Sequence, residues 1–164
     1  MPEIYVAIGS NVEPERHLRS ALVALAEHFG VLRLSPVYRN QPVGFEGDDF
    51  LNMVAAFESD ISIEDIGAQL ELIEAKSGRQ RGAEKFGPRT LDLDLLLYGD
   101  NVVTEGDHQI PRDEITRYAF VLKPLADLAG DKLHPLAGVS FTQLWQDFDQ
   151  GRHPLEPVNL PLVG

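Results

Sequence analysis

Two aspartates interrupt an otherwise apolar stretch, FGPRTLDLDLLLY at residues 86–98. Successive side chains of a β-strand face opposite sides, so Asp92 and Asp94 share one face and leave the other to leucines. Their Cα atoms would stand about 6.5–7 Å apart, and like charges that close raise each other's pKa unless a cation intervenes. Magnesium takes one or two carboxylates with water and substrate phosphates, so the pair predicts a magnesium site. The alternative is two solvent-facing charges that guard a strand edge.

Cations are concentrated just before this pair. Five of the 14 Lys and Arg residues lie between positions 76 and 89. The planar donor forks of Arg79, Arg81 and Arg89 suit phosphate oxygens, although surface ion pairs with Glu74 or Glu84 are an alternative. The net charge of -12 repels nucleic acid and anionic membranes, so this local basic cluster favours a small anionic ligand. Together the aspartates and arginines predict metal-assisted phosphate chemistry.

Other polar and aromatic residues are more ambiguous. Phe50, Asn52 and Phe120 are core residues by default, or they bracket a planar ligand whose edge the amide binds. The turn at residues 9–11 lacks the pattern of a phosphate-cradling loop. The five histidines show no metal-ligand spacing, and the absence of cysteine excludes a thiolate metal site and a cysteine nucleophile.

The elements that position these residues follow from periodicity and turn residues. Gly30 and Gly78 are placed to end helices, and Ser62 with Asp65 resembles a capping box. The predicted strands cover residues 4–8, 31–38, 50–57 and 90–98, and the predicted helices cover residues 14–29 and 62–77. This order, β-α-β-β-α-β, predicts an α+β, ferredoxin-like fold, in which an antiparallel sheet carries helices on one face. A long acidic loop at residues 40–49 is expected beside it.

The C-terminal part predicts additions to this core. A short strand is expected at residues 102–104, and helices at 119–128 and 141–148, the second capped by Ser140. From about residue 151 prolines predict an irregular tail. All 164 residues fit one domain, and the sequence shows no signal peptide or membrane-spanning run, which predicts a cytoplasmic protein.

The stretch KFGPRTLDLDLLLY at residues 85–98 closely resembles the signature of the 6-hydroxymethyl-7,8-dihydropterin pyrophosphokinase family of folate biosynthesis. The Arg-x-x-Asp-x-Asp pattern within it is specific. Shorter matches follow in the family's order over most of the chain: AIGSN, SPVYRN, FLN, GRQR and AFVLKPL, at residues 7–11, 35–40, 50–52, 78–81 and 119–125.

The resemblance implies transfer of diphosphate from ATP to the hydroxymethyl oxygen of the reduced pterin, with release of AMP, by a monomer that uses small-molecule substrates alone. It implies that Asp92 and Asp94 hold two magnesium ions, and that three arginines neutralise phosphate charge in the transition state: Arg79, Arg81 and Arg89. The implied nucleotide-binding residues are Glu71, Glu74, Arg81, Arg89, Arg112, Arg117 and Tyr118. The implied pterin-binding residues are Asn40, Val43, Phe50, Asn52 and Phe120.

The chain departs from the family pattern at several positions. Arg112 follows Pro111 where the family commonly has His, and Tyr118 stands where an arginine is usual. Phe50 and Phe86 stand where Tyr and Trp are frequent. These changes leave open a divergent paralogue that acts on another pterin.

Two further alternatives come from other classes of protein. A non-catalytic ligand- or RNA-binding domain has the same element order, but the charge of -12 and the lack of an aromatic RNA-binding strand motif disfavour it. An enzyme of the same fold that transfers only the γ-phosphoryl group would release ADP instead of AMP.

Overall fold

The computed structural model describes residues 1–44, 46–77, 91–151 and 154–161. Over these ranges the strands are β1 (Glu3–Ser10), β2 (Arg33–Leu34), β3 (Val37–Asn40), β4 (Phe50–Glu58), β5 (Asp92–Tyr98) and β6 (Glu156–Val158). The helices are α1 (Pro14–Phe29), α2 (Ile63–Lys76), α3 (Ala119–Ala129) and α4 (Phe141–Asp147), with a 3₁₀ turn at Asp113–Thr116. None of these helices combines the length and the apolar character that crossing a membrane requires.

The strands form one antiparallel sheet in the order β5-β1-β4-β3-β6, and β2 also pairs with β4. The central strands β1 and β4 pair along the full length of β1, from Glu3 opposite Glu58 to Ser10 opposite Leu51. With α1 and α2 as the two connections, this topology confirms the predicted ferredoxin-like order.

Helices cover both faces of the sheet. On one face α1 and α2 bury a core with the strand residues Ile8, Met53 and Leu93. On the other face α3 and Phe141 of α4 pack against Tyr5 and residues of β4 and β5. The sequence placed helices on one face and gave the C-terminal helices no position, and the structure assigns them to the opposite face. The polar candidates near the sheet therefore share a face with α3.

Most predicted helix ends are confirmed. The hydroxyls of Ser62 and Ser140 accept the backbone N–H of Asp65 and Gln143, at 3.2 and 3.1 Å, and so satisfy donors at the starts of α2 and α4. Gly30 ends α1 with φ of 84°, a conformation that other residues rarely adopt. Gly78, the expected end of α2, lies outside the described residues; α2 ends at Lys76.

The single strand predicted at residues 31–38 is wrong, because it divides into β2 and β3. Pro36 has no N–H to contribute to the ladder. Ser35 bridges the gap: its N–H donates to the Val54 carbonyl at 2.9 Å, and its hydroxyl accepts the Val54 N–H at 2.8 Å. A long-range contact with β4 thus replaces the missing ladder bond.

Two C-terminal predictions also need correction. Instead of a strand at residues 102–104, only Val103 pairs, in a single bridge to Ile110. The tail is not irregular throughout, because β6 pairs with β3. Pro157 is tolerated there because β6 is an edge strand.

Candidate active site

The register of the sheet aligns four positions in one row across the face covered by α3. Asp92 of β5 lies opposite Gly9 of β1, Gly9 lies opposite Asn52 of β4, and Asn52 lies opposite Tyr38 of β3. Since neighbouring strands are about 4.8 Å apart, the backbones of Asp92 and Asn52 are about 10 Å apart. Gly9 contributes no side chain between them. The carboxylate and the amide therefore stand on either side of an open strip of sheet.

The division of β5 into two faces is as predicted. Leu91, Leu93 and Leu95 are buried against α1 and α2, whereas Asp92 and Asp94 lie half-buried on the other face. The alternation changes further along, because a bulge opposite residues 5 and 6 places both Leu96 and Leu97 on the α3 side. The aspartates precede this bulge and keep the regular period of two.

The environment of Asp94 opposes its charge. Burial is the main cause that raises the pKa of Asp94 to about 7. The Arg112 guanidinium lowers that pKa, whereas the carboxylates of Asp92, Glu114 and Glu74 raise it. A cation bound between the two aspartates would relieve this repulsion.

Arg112 brings a guanidinium to this carboxylate. Its Nη2 lies 3.4 Å from Oδ1 of Asp94, and its Nε and Nη2 donate to Oε1 of Glu114 at 3.1 and 2.8 Å. Its backbone N–H donates to the Leu96 carbonyl at 3.0 Å, which fixes the start of the 3₁₀ turn against β5. The arginine that departs from the family pattern thus stands beside a candidate metal ligand.

Glu74 supports the outer edge of β5. It is 7% exposed on the last turn of α2, and its Oε2 accepts the Leu93 N–H at 2.9 Å. Because β5 ends the sheet, this N–H has no strand to pair with, and the carboxylate takes the place of a neighbouring carbonyl. Glu71, one turn earlier, is exposed. Their predicted contacts with a nucleotide stay predictions.

The donor set at the aspartates fits magnesium. Two carboxylates on adjacent same-face positions supply hard oxygen ligands, and repulsion between them favours a divalent cation. Within the described ranges, no group of three or more His, Cys, Asp or Glu side chains is placed to hold a metal ion. Magnesium commonly keeps water and phosphate oxygens in the remaining positions, so two protein carboxylates are enough.

On the other side of Gly9, two asparagines form a pair. Asn52 donates from Nδ2 to Oδ1 of Asn40 at 2.5 Å, and Asn40 donates from Nδ2 to the Gln41 carbonyl at 3.1 Å. Asn40 is 6% exposed. The side chain of Asn40 therefore contacts Asn52, a contact that the sequence did not predict.

The predicted aromatic residues lie on or beside the same face. Phe50 shares the alternation of Asn52 on β4, and Phe120 stacks on Tyr118 with ring centroids 5.0 Å apart. The Arg117 guanidinium lies 5.4 Å from the centre of the Tyr118 ring and pairs with Asp113. Tyr118 thus packs against the predicted pterin-binding Phe120.

The remaining predicted residues divide into two groups. Val43 lies half-buried in the loop between β3 and β4. The three phosphate-binding candidates Arg79, Arg81 and Arg89 lie outside the described residues, as does Phe86.

Sequence reasoning missed three contributors. Gly9 was taken only as a turn residue, yet a Cβ there would lie 2.5 Å from Oδ1 of Asn52. Glu114 carried no signal because its partner is two residues away in a 3₁₀ turn. Asp127 of α3 accepts the hydroxyl of Tyr38, which requires knowing that α3 covers this face. The register of two predicted strands could have indicated Gly9.

The fold and the site together define a class: a ferredoxin-like α+β domain with paired carboxylates and an amide-lined, aromatic pocket on one sheet face. The family model of the 7,8-dihydro-6-hydroxymethylpterin pyrophosphokinases matches residues 5–130. The chain therefore belongs to this family, which confirms the resemblance and the enzyme class expected from the sequence.

Individual relatives agree with this assignment. Identity is 39% over 132 residues to the 2-amino-4-hydroxy-6-hydroxymethyldihydropteridine pyrophosphokinase of Pseudomonas aeruginosa, covering 78% of this chain and 81% of that protein. It is 37% over 147 residues to the enzyme of the same name from Synechocystis, covering 88% and 75%. It is 31% over 163 residues to the folic acid synthesis protein fol1 of Pneumocystis carinii, covering 98% of this chain but 22% of that protein.

A solved structure supports the fold. The wild-type HPPK-DHPS of Plasmodium falciparum with pterin and p-hydroxybenzoate matches with a TM-score of 0.73 at 12% identity. The match covers 88% of this chain and 42% of that one. This chain thus corresponds to less than half of the Plasmodium protein and to most of the bacterial ones.

Proposed function

We propose that this chain catalyses magnesium-dependent transfer of diphosphate from ATP to the hydroxymethyl oxygen of 6-hydroxymethyl-7,8-dihydropterin, a step of folate biosynthesis. The observation that carries the proposal is the row across the sheet, which puts Asp92 and Asn52 on one face with only Gly9 between them. A phosphate chain held at the carboxylates and a planar ring held at the amide would meet over this strip.

The residues divide the work by side of the strip. Asp92 and Asp94 would hold magnesium, two ions by the family resemblance, and bound magnesium neutralises phosphate charge. Arg112 adds a fixed cation beside Asp94, and Arg79, Arg81 and Arg89 are proposed to bind phosphate oxygens.

Pterin binding is assigned to the other side. Asn52 would hydrogen-bond the ring edge, Phe50 and Phe120 would contact its faces, and backbone groups near Asn40 and Val43 would complete the pocket. Glu71, Glu74, Arg117 and Tyr118 are proposed to bind the nucleotide.

Chemistry then needs positioning more than strong acid–base catalysis. The hydroxymethyl oxygen forms a bond to the β-phosphorus while the bond from that phosphorus to the oxygen bridging to the α-phosphate breaks. AMP leaves with the bridging oxygen, and the hydroxyl proton passes to water. Electrostatic stabilisation by the bound cations supplies the main contribution.

Product identity tests the proposal. Purified protein with ATP, magnesium and the hydroxymethyl dihydropterin is expected to form AMP and the pterin diphosphate in equal amounts, measured by mass spectrometry. Asp92→Ala or Asp94→Ala is expected to abolish both products with the fold intact. Asp60→Ala is the matched control, because Asp60 is exposed and follows the opposite end of β4 from Asn52.

Each other outcome points elsewhere. ADP in place of AMP would indicate γ-phosphoryl transfer, and no product would leave a non-catalytic binding domain. Product from a different pterin would support a paralogue, in keeping with the departures at Arg112 and Tyr118.

We also propose a cytoplasmic monomer, since ATP is abundant in the cytoplasm and a net charge of -12 disfavours self-association. Its partners would be small molecules, without nucleic acid or membrane.

A further inference from the structure

Asn40 and Asn52 lie on the same face of neighbouring strands. In the register of β3 and β4, Asn40 is opposite Phe50 and Asn52 is opposite Tyr38, so the two asparagines are diagonal neighbours. Their hydrogen bond of 2.5 Å spans this diagonal.

The direction of this hydrogen bond is determined by the backbone. The Gln41 carbonyl can only accept, so the atom of Asn40 that faces it must be Nδ2. Oδ1 of Asn40 must then face Asn52, and the atom of Asn52 that meets it must be a donor, Nδ2. One backbone carbonyl therefore fixes the orientation of both amides.

The orientation also determines which atom of Asn52 faces β1. With Nδ2 committed to Asn40, Oδ1 of Asn52 lies over Gly9, where a Cβ would approach it to 2.5 Å. No positive φ is involved at Gly9, so the requirement for glycine at this position is one of space. Gly9 and Asn40 thus confine the Asn52 amide from two sides.

We propose that Asn40 is a positioning residue that orients Asn52 for ligand recognition, an inference that rests on the proposed function. Asn52 then offers one acceptor, Oδ1, and one remaining N–H. The ligand edge that matches carries a hydrogen-bond donor next to an acceptor, as the lactam edge of a pterin does. A freely rotating amide would bind the reverse pattern equally well, so Asn40 adds discrimination between ring edges.

Two substitutions of different size test this role. Asn40→Leu keeps the volume and removes both hydrogen bonds, and Asn40→Ser is smaller and guards against misfolding of the first variant. For each, the KM for the pterin is expected to rise about tenfold, the size of effect of one lost net hydrogen bond, while the KM for ATP stays unchanged. Arg39→Gln is the control, since Arg39 is the neighbouring residue on the opposite face of β3.

A spectroscopic measurement separates positioning from stability. In protein labelled with ¹⁵N-asparagine, the side-chain NH₂ signals of Asn52, assigned by their loss in Asn52→Asp, are expected to move in both Asn40 variants and stay in place in Arg39→Gln. Oxidised hydroxymethylpterin, titrated by its fluorescence, gives binding without turnover and is expected to weaken about tenfold.

Three results would overturn the proposal: unmoved Asn52 signals, pterin binding within twofold of wild type in both variants, or equal rises in the KM for pterin and ATP. If the wild type neither binds nor converts the pterin, the proposed function fails on its own evidence. The Asn52 signals then still decide whether Asn40 orients the amide.

Discussion

At the residue scale, Asp94 is placed where its charge is disfavoured. Burial and the neighbouring carboxylates of Asp92, Glu74 and Glu114 oppose its ionisation, and only Arg112 acts against them. Such an arrangement is typical of a site prepared for a cation, where stability is given up for binding.

Replacement of Asp94 by Asn should therefore stabilise the metal-free protein. The amide keeps the shape and removes the repulsion, so we expect a Tm rise of about 2–4 °C in the presence of a chelator, the shift that about 1 kcal/mol produces in a domain of this size. Thermal unfolding of Asp94→Asn against the exposed control Asp60→Asn measures it. A lower Tm for Asp94→Asn would show that the ion pair with Arg112 outweighs the repulsion.

Arg112 should contribute to nucleotide binding. It is held by Glu114 and by its own backbone, so its guanidinium is ordered before a ligand arrives. We expect Arg112→Ala to raise the KM for ATP about tenfold, since a charge-assisted hydrogen bond is lost, and to leave the KM for the pterin unchanged. Steady-state kinetics check this, with Arg19→Ala as the control on the exposed side of α1. An unchanged KM for ATP would remove Arg112 from the nucleotide site.

What the sequence could predict at this scale was limited by distance along the chain. The two faces of β5 follow from a period of two, so Asp92 and Asp94 were placed correctly. The neighbours of these residues depend on register and on a 3₁₀ turn. Glu114 and the contact between Gly9 and Asn52 therefore required the structure.

At the element scale, α3 is fastened to the sheet by a polar contact. The Tyr38 hydroxyl donates to Asp127 of α3, whose other oxygen binds Lys123 at 2.7 Å. Burial, followed by this hydrogen bond, raises the pKa of Tyr38, so the hydroxyl stays protonated as a donor. Because α3 also carries Phe120, the contact links the stability of the fold to the proposed pterin pocket.

Loss of that hydroxyl should be costly. We expect Tyr38→Phe to lower the free energy of unfolding by about 1.5–3 kcal/mol, the range for hydrogen bonds to charged groups. Urea unfolding measures it, with Tyr98→Phe as a matched control whose hydroxyl binds only the Ile61 carbonyl in an exposed position. Equal losses in the two variants would argue against a special role for the contact with α3.

The turn between α3 and α4 should be sensitive to acid. Nδ1 of His134 accepts the N–H groups of Leu136 and Ala137 at 3.1 and 3.0 Å, which requires an unprotonated nitrogen. Burial lowers the pKa of His134 in the folded protein. The unfolded chain therefore binds the proton more readily, and the contribution to stability is complete above about pH 6.5 and is lost as the pH falls below it.

Substitution should remove this dependence. We expect His134→Asn to show a smaller decline in the free energy of unfolding between pH 7 and pH 5 than the wild type, by urea unfolding at each pH. His28→Asn, at an exposed position near the end of α1, serves as the control. Parallel pH profiles for wild type and His134→Asn would contradict the assignment.

The elements themselves followed largely from local signals. Ser62, Ser140 and Gly30 marked helix ends because capping chemistry lies within a few residues. The break at Ser35 and Pro36 and the pairing of β6 with β3 depend on strands that are distant in sequence, which explains why these predictions failed.

At the scale of the whole molecule, the two faces of the sheet have different tasks. One face packs α1 and α2 into an apolar core, and the other combines the packing of α3 and α4 with a row of polar positions near the ends of the strands. Composition and charge predicted the ligand class, but only the topology shows that the carboxylates and the amide pair belong to one face. The proposed reaction depends on that placement.

The distance between the bound metal and the bound pterin tests this placement most directly. Mn²⁺ in place of magnesium, a non-hydrolysable ATP analogue and a pterin ¹³C-labelled at the hydroxymethyl carbon would be combined with the wild-type protein, and paramagnetic relaxation measured by NMR. We expect a carbon-to-metal distance within about 10 Å, the separation of Asp92 and Asn52 across two strand spacings. A bound pterin whose hydroxymethyl carbon shows no relaxation from the metal would contradict a shared site on this face.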